Sequence, residues 1–445
     1  MICYTSGTTG PPKGAVILHR NFIACSNCLE YIIAAGKFTK RYPTDTHFSY
    51  LPLAHVFEFD VFLSGVQTGM RSGFYQGDPT QLMSDIQELK PSSFITVPRV
   101  MNRIYDQVWS GVRAKGGITK AMFQAAFASK VSWLKAGRIK SLILDAVVFA
   151  KMRALLGGNI KFILCSSAPL APDVIQFFRV CFSVDVFEGY GQTECSGAAA
   201  VTWAGDYAPG HVGTPNPCSE FKLFDVPSMN YTSADLPHPR GEICVRGNNV
   251  FQGYYKDPVK TAEAIDADGW LHTGDVGMWD ERGRLVVIDR VKNLFKLSQG
   301  EYVSPERVES VYQSCPLVAQ AYVHGDSLKS STVGIMVPDI GELLLWAVAE
   351  SFLVADPHTG KAAKGTDIAA LLARQEVATA ATKAVQAYGK AAGLKGFENV
   401  RAAHWEPEAW TVENNQLTPT FKLKRQDARA KYEPVFEALY KSIGE

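Results

Sequence analysis

Short apolar runs at Ser93 to Val97, Lys161 to Cys165 and Asp185 to Phe187 alternate with stretches of helical periodicity. A strand buried on both faces reads as a continuous apolar run, so this alternation predicts βα units in a covered, mainly parallel sheet. This part of the chain is α/β. From about residue 210 to 289 the texture changes to short strands with close turns, such as Gly241 to Gly247 and Arg284 to Ile288, and predicts a β-rich subdomain. Beyond Lys292, a helix (Pro305 to Tyr312), two strands (Val318 to His324, Val333 to Val337) and Ala-rich helices around 339 to 392 predict a compact α+β domain. With 445 residues, the chain has room for two or three domains of roughly 150 residues each.

Forty-five basic residues balance forty-four acidic ones, so no overall field argues for nucleic acid or an anionic membrane. Partners must be argued from sites. The nine cysteines include one close pair, Cys25 and Cys28, without a second pair to complete a zinc site. Their spacing places both on one face of a predicted helix, which favours packing and reduced thiols. The most apolar stretch, Leu343 to Ala355, contains Glu350 and is too short for a membrane span, so it reads as a buried or interfacial helix.

The segment Tyr4-Thr5-Ser6-Gly7-Thr8-Thr9-Gly10-Pro11-Pro12-Lys13-Gly14 combines glycines that let backbone N–H groups converge, hydroxyls for phosphate oxygens, and one cation. Such a loop suits a polyphosphate. It is not a Walker A loop, because Lys13 is followed by Gly14 rather than Ser or Thr. A surface linker has the same composition for conformational reasons alone.

The segment resembles the signature loop of the adenylate-forming superfamily, in which Thr5, Ser6, Gly7, Thr8, Thr9, Gly10 and Lys13 would cradle ATP phosphates. The resemblance implies a large N-terminal α/β AMP-binding domain, incomplete here, over residues 1–289, with the β-rich subdomain at 210–289. A small mobile α+β domain would fill 290–445. Further motifs fit the family. In Glu188-Gly189-Tyr190-Gly191-Gln192-Thr193-Glu194, Tyr190 would stack on adenine and Thr193 would bind the α-phosphate. Glu194, with Thr8, would hold Mg²⁺ through hard oxygen donors. Ser167, Ala168 and Pro169 would line the adenine pocket, and Asp275 in Gly269-Trp270-Leu271-His272-Thr273-Gly274-Asp275 would accept from both ribose hydroxyls. A capping or turn role is the plain alternative for that aspartate. Arg290 would bind ribose or phosphate, and Lys292 would be the hinge. Lys296 and Gly300 would face the site during thioester formation. Lys422 maps to the catalytic lysine, with Lys424 its nearest rival.

Leu51 to Glu58, Phe74 to Asp78, Val97 to Tyr105 and Thr418 to Lys422 look specifically like long-chain fatty acyl-CoA synthetases truncated at the N-terminus. His55 and Phe57 would then border the acyl site, unless they simply pack at a strand end. Phe59 departs from an arginine common in that family and falls near the mouth of the expected acyl tunnel. The implied substrates are a fatty acid, ATP and coenzyme A, with no nucleic acid and a peripheral membrane association open. The implied location is intracellular, cytoplasmic or on an endomembrane such as the endoplasmic reticulum, with the targeting segment in the missing portion. A ligase for an aromatic or shorter carboxylate, and a catalytically silent nucleotide- or lipid-binding relative, are the rival readings.

Overall fold

The computed structural model describes residues 1–5, 12–35, 43–291, 293–356, 359–360, 362–363, 365–418 and 421–445. The chain forms two compact units, Met1–Val287 and Ile288–Glu445.

In the first unit, β1 (Ile2–Thr5) and β2 (Lys13–Val16) pair antiparallel, with Thr5 opposite Lys13. The main sheet contains β3 (Thr46–Ser49), β4 (Arg71–Phe74), β5 (Ser93–Thr96), β6 (Phe162–Cys165), β7 (Asp185–Gln192), β8 (Gly197–Val201) and β9 (Thr214–Pro215). Their order is β4-β3-β5-β6-β7-β8-β9. The pairs from β4 to β7 are parallel and the last two antiparallel. Phe94, Ile95, Phe162, Ile163 and Leu164 are all buried, as strands covered on both faces require. Helices Pro98–Lys115, Gly117–Lys135 and Pro172–Phe182 bring Trp109, Phe123, Phe127 and Phe177 into edge-to-face and tilted contacts against this core.

Beyond the main sheet come β10 (Ser219–Phe224), β11 (Arg240–Gly247), β12 (Gly253–Tyr254), β13 (Leu271–Trp279) and β14 (Leu285–Arg290). Four of them form the sheet β10-β11-β13-β14, while β12 joins β2. In the second unit, β15 (Phe295–Lys296) and β16 (Tyr302–Val303) make a short hairpin. There β17 (Val318–His324), β18 (Val333–Pro338) and β19 (Ala402–Trp405) form a sheet with β18 in the middle. One side of that sheet belongs to a core with helices Pro305–Gln313 and Gln375–Ala391, and the other to a core with helix Arg425–Ser442.

Two expectations shift. The run Leu343 to Ala355 is helical only to Ala349, in the helix Ile340–Ala349, because Ser351 takes a left-handed conformation (φ 64°) that ends it. No helix among the described residues is long and apolar enough to cross a membrane. His55 and Phe57 sit at the start of the helix Val56–Thr68, not at a strand end, since His55 Nδ1 accepts from the Phe57 amide and caps that helix.

Candidate active site

The register of a three-stranded sheet assembles the first group of polar side chains. Tyr254 of β12 pairs with Ala15 of β2, and Ala15 shares a face with Lys13 two residues away, so Tyr254 and Lys13 are diagonal neighbours. Lys13 Nζ donates to the Tyr254 hydroxyl at 3.1 Å and stands 4.2 Å from the centre of its ring. The same hydroxyl donates to Glu194 Oε1 at 2.6 Å. Glu194 is itself anchored through its carbonyl, which accepts from Phe251 N at 2.9 Å. A cation, a phenol and a carboxylate thus form one chain. Burial and the neighbouring Glu194 push the Tyr254 phenol upward, which keeps it a donor. Thr5, opposite Lys13 in the same sheet, donates from Oγ1 to the Lys13 carbonyl at 3.4 Å. Ser6, Gly7, Thr8, Thr9 and Gly10, between these two anchors, lie outside the described residues, as does Lys292.

Two irregular pairings build the second group. β7 shifts register against β8 between Tyr190 and Gly191, and a Cβ on Gly191 would fall 1.8 Å from Gly197 O, so only glycine fits. Between β11 and β13, Glu242 pairs with Val276 but Cys244 with His272, so Thr273, Gly274 and Asp275 all bulge opposite Ile243. Thr273 Oγ1 donates to Ile243 O (2.7 Å) and accepts from Asp275 N (3.1 Å), while Gly274 N donates to Glu242 Oε1 (2.9 Å). The bulge aims the Asp275 carboxylate at Tyr190, whose hydroxyl donates to Oδ2 at 2.8 Å. Burial, then Asp275, drives the Tyr190 phenol well above its ordinary value.

The ends of the parallel strands add a third group. Ser166 Oγ, just past β6, donates to Gly189 O of β7 at 2.8 Å, and Ser167 follows with φ 83°. Ala168 and Pro169 are exposed. Burial lifts the Glu188 carboxyl to about 8 against the pull of Arg179. These residues lie just past the C-terminal end of β6 and where β7 leaves its parallel pairing with β6, the edge at which open α/β sheets present their sites. A cavity of about 440 Å³ at the other end of the strands, lined by Thr44, Asp45, Arg71, Lys90 and Lys161, holds none of them. Thr193, half-buried, directly precedes Glu194 in a short 3₁₀ turn.

Phe57 lies in the main core and lines a narrow cleft with Leu29, Val61, Leu164 and Val201. Phe59 packs edge-to-face on Phe22, 5.0 Å between centroids.

In the second unit, Arg290 ends β14, its amide donating to Asp289 Oδ1 at 2.6 Å. Asp289 also accepts from Ser304 Oγ, and burial plus Glu306 raise its carboxyl to about 6. Lys296 is exposed on β15 with its ammonium 5.4 Å from the Tyr302 ring. Gly300 has φ 92°, so the turn between β15 and β16 requires glycine there. The Lys422 carbonyl accepts from Thr418 N at 2.8 Å, and the next pair outward, Leu417 and Leu423, forms an antiparallel bridge. The rival Lys424 is engaged with Asn415 through its ammonium.

Tyr254, Thr273 and Glu242 escape sequence reasoning. The run Phe251-Gln252-Gly253-Tyr254 carries no chemistry by itself, and Tyr254 meets Lys13 only through a strand pairing that spans 241 residues.

The family profile described as AMP-binding enzyme matches residues 1–255. The chain is 45% identical over 444 residues to Long chain acyl-CoA synthetase 6, peroxisomal, of Arabidopsis thaliana, covering 100% of this chain and 61% of that protein. It is 41% identical to human Long-chain-fatty-acid–CoA ligase 1, again covering 100% of this chain and 61% of the relative. The chain therefore spans about three fifths of the length of these relatives. The A domain of a carboxylic acid reductase from Segniliparus rugosus, solved with AMP and a co-purified carboxylic acid, superposes with a TM-score of 0.75 at 27% identity. That match covers 100% of this chain and 61% of the other.

Proposed function

We propose, from the premise that this chain belongs to the AMP-binding enzymes, that it serves the ATP-dependent activation of a long-chain fatty acid to acyl-AMP and then to acyl-CoA. The observation that carries this reading is the Tyr254 hydroxyl shared by Lys13 and Glu194. It ties the cation closing the glycine-rich segment to a carboxylate, which is the charge arrangement a metal-bound triphosphate needs. The names of the relatives support the long acyl chain.

In the first half-reaction a fatty-acid carboxylate oxygen attacks the α-phosphorus of ATP, the bond to the bridging β-oxygen breaks, and pyrophosphate leaves. Two like charges at about 4 Å repel by about 4 kcal/mol at an effective dielectric of about 20. Lys13 and Lys422 offset this repulsion. Glu194 presents an oxygen donor held by Tyr254, a fit for a hard cation; with Thr8 it is our assignment for Mg²⁺, which neutralises phosphate charge when bound. Tyr190 and Asp275 take the nucleoside, the ring against adenine and the carboxylate to the ribose hydroxyls. Ser167, Ala168, Pro169, Glu188, Gly189 and Gly191 form the surrounding wall. In the second half-reaction the CoA thiolate attacks the acyl carbonyl and AMP leaves. Lys296 and Gly300 serve that step, Arg290 the nucleotide, and Lys292 the hinge. His55, Phe57 and Phe59 border the acyl chain.

The test is a series of fatty and aromatic acids, with pyrophosphate release and thioester formation followed separately. Pyrophosphate release that rises with acyl length supports the proposal. Release only with short or aromatic acids replaces it with the narrower ligase, and nucleotide binding without turnover replaces it with a silent binder.

A further inference from the structure

Three side chains of different chemistry meet on one face of the sheet β10-β11-β13-β14. Glu242 and Cys244 are two apart on β11 and so share a face, and the register sets His272 of β13 directly opposite Cys244. His272 Nδ1 is 3.6 Å from Cys244 Sγ and 2.9 Å from Glu242 Oε2. The ligand atoms of all three lie within 4.8 Å of one another.

We propose that Glu242, Cys244 and His272 form a three-ligand site for a borderline-soft divalent cation, Zn²⁺ by the chemistry of its donors, with a fourth position open to solvent. A thiolate, an imidazole and a carboxylate are the donor set of zinc rather than of magnesium or calcium. Zn–N near 2.1 Å and Zn–S near 2.3 Å at a tetrahedral angle span about 3.6 Å, which is the observed Cys244–His272 separation. The same arithmetic asks about 3.4 Å between nitrogen and carboxylate oxygen, so Glu242 Oε2 retreats by about 0.5 Å from its present 2.9 Å.

The surroundings suit such a site. Asp266 Oδ2 stands 3.6 Å from His272 Nε2, on the side of the ring where it can take an Nε2–H once a cation replaces the Glu242 contact at Nδ1. Gly274 N fixes the other oxygen of Glu242. Cys244 is fully buried, whereas the His272 and Glu242 side chains are 23% and 17% exposed, which leaves an entry path and room for a water ligand. Lys222 is the opposing charge nearby; it is 3.5 Å from Asp266 and 4.5 Å from the Trp270 ring. A cation binds the thiolate, so it displaces the Cys244 thiol proton on binding.

The proposal stands apart from the reaction proposed above, and its test reads no activity. The purified chain is titrated with Co²⁺ as a spectroscopic stand-in for Zn²⁺. Expected are tetrahedral d–d bands and a thiolate-to-cobalt charge-transfer band saturating at about one equivalent per chain, displaced by Zn²⁺. The band should vanish in Cys244→Ser and His272→Gln and persist in Cys218→Ser. Circular dichroism reports whether each variant folds. X-ray absorption of the zinc-loaded unmutated chain gives an answer free of mutation, with one sulfur and two or three nitrogen or oxygen neighbours expected. No charge-transfer band, a band that survives Cys244→Ser, or a sulfur-free shell overturns the proposal.

Discussion

Replacing Tyr254 with phenylalanine keeps an aromatic face beneath the Lys13 ammonium and removes only the hydroxyl that Glu194 accepts from. A hydrogen bond to a charged group contributes about 1.5–3 kcal/mol, so Tyr254→Phe is expected to lower kcat/KM for ATP-dependent pyrophosphate release by roughly 10- to 100-fold. An unchanged value would remove the hydroxyl from the site. Lys422→Ala is expected to slow acyl-AMP formation by roughly 10²-fold while sparing thioester formation from supplied acyl-AMP; equal loss of both steps would contradict the division of labour. Glu188 gives a pH signature. Its carboxyl is at about 8 in the folded chain against an ordinary 4.5, because burial disfavours its charge. A raised acid favours folding while protonated, so this contribution is complete below 4.5 and fades as pH rises through about 8. Urea midpoints of Glu188→Gln should therefore fall less steeply over that range than those of the unmutated chain, and parallel curves would refute the burial argument.

Among the elements, Lys130 of helix Gly117–Lys135 does the work of a cap for another helix. Its buried ammonium donates to Val180 O and Ser183 Oγ, each at 2.7 Å, at the C-terminal end of helix Pro172–Phe182, and to Asp145 Oδ1 at 2.6 Å. Burial lowers its pKa while Asp145 opposes the shift. Lys130→Met strands the buried Asp145 carboxylate and takes a donor from the Val180 carbonyl and the Ser183 hydroxyl, at a cost of about 3–5 kcal/mol, and the double change Lys130→Met with Asp145→Leu should recover much of it in denaturant midpoints. Equal losses in the single and double variants would show that the pairing is immaterial. Periodicity alone reveals where such elements run. Val318 to His324 is readable to the residue, because its largely apolar run is bounded by turn-forming neighbours, Pro316 before it and Gly325 after it. The strand starting at Asp185 instead runs on to Gln192, through glycines that local propensity places in a loop. Sheet neighbours supply its partners there. The Thr273–Asp275 bulge and the Glu242–Cys244–His272 cluster are likewise invisible to spacing rules, since they arise from the register of strands about thirty residues apart. A cysteine count that looks for paired thiols passes over a site with mixed donors.

At the scale of the whole molecule, the adenylate-forming fold is carried by two units with separate hydrophobic cores. Units with their own cores unfold as their own cooperative transitions when little couples them, so calorimetry is expected to resolve two. Each should answer to its own chemistry. AMP at about 100 times its Kd adds about 2.7 kcal/mol to the unit that binds it, so it should raise the transition of Met1–Val287, where Tyr190 and Asp275 lie. Acid should act on the other. His324 of β17 is buried and stacked on Phe436, 4.2 Å between centroids and 9° from parallel. Burial, with Arg429, lowers its pKa from 6.5 to about 4, although Glu433 and Asp326 oppose the shift. A depressed histidine favours folding while neutral, so its contribution is complete above 6.5 and lost as pH falls through about 4. The transition of Ile288–Glu445 should accordingly drop over that window, and His324→Phe, which keeps the ring stack without the titrating nitrogen, should blunt the drop. An acid response that is identical in the variant, or an AMP shift confined to the transition that His324→Phe alters, would show that these two units do not divide the stability of the chain in this way.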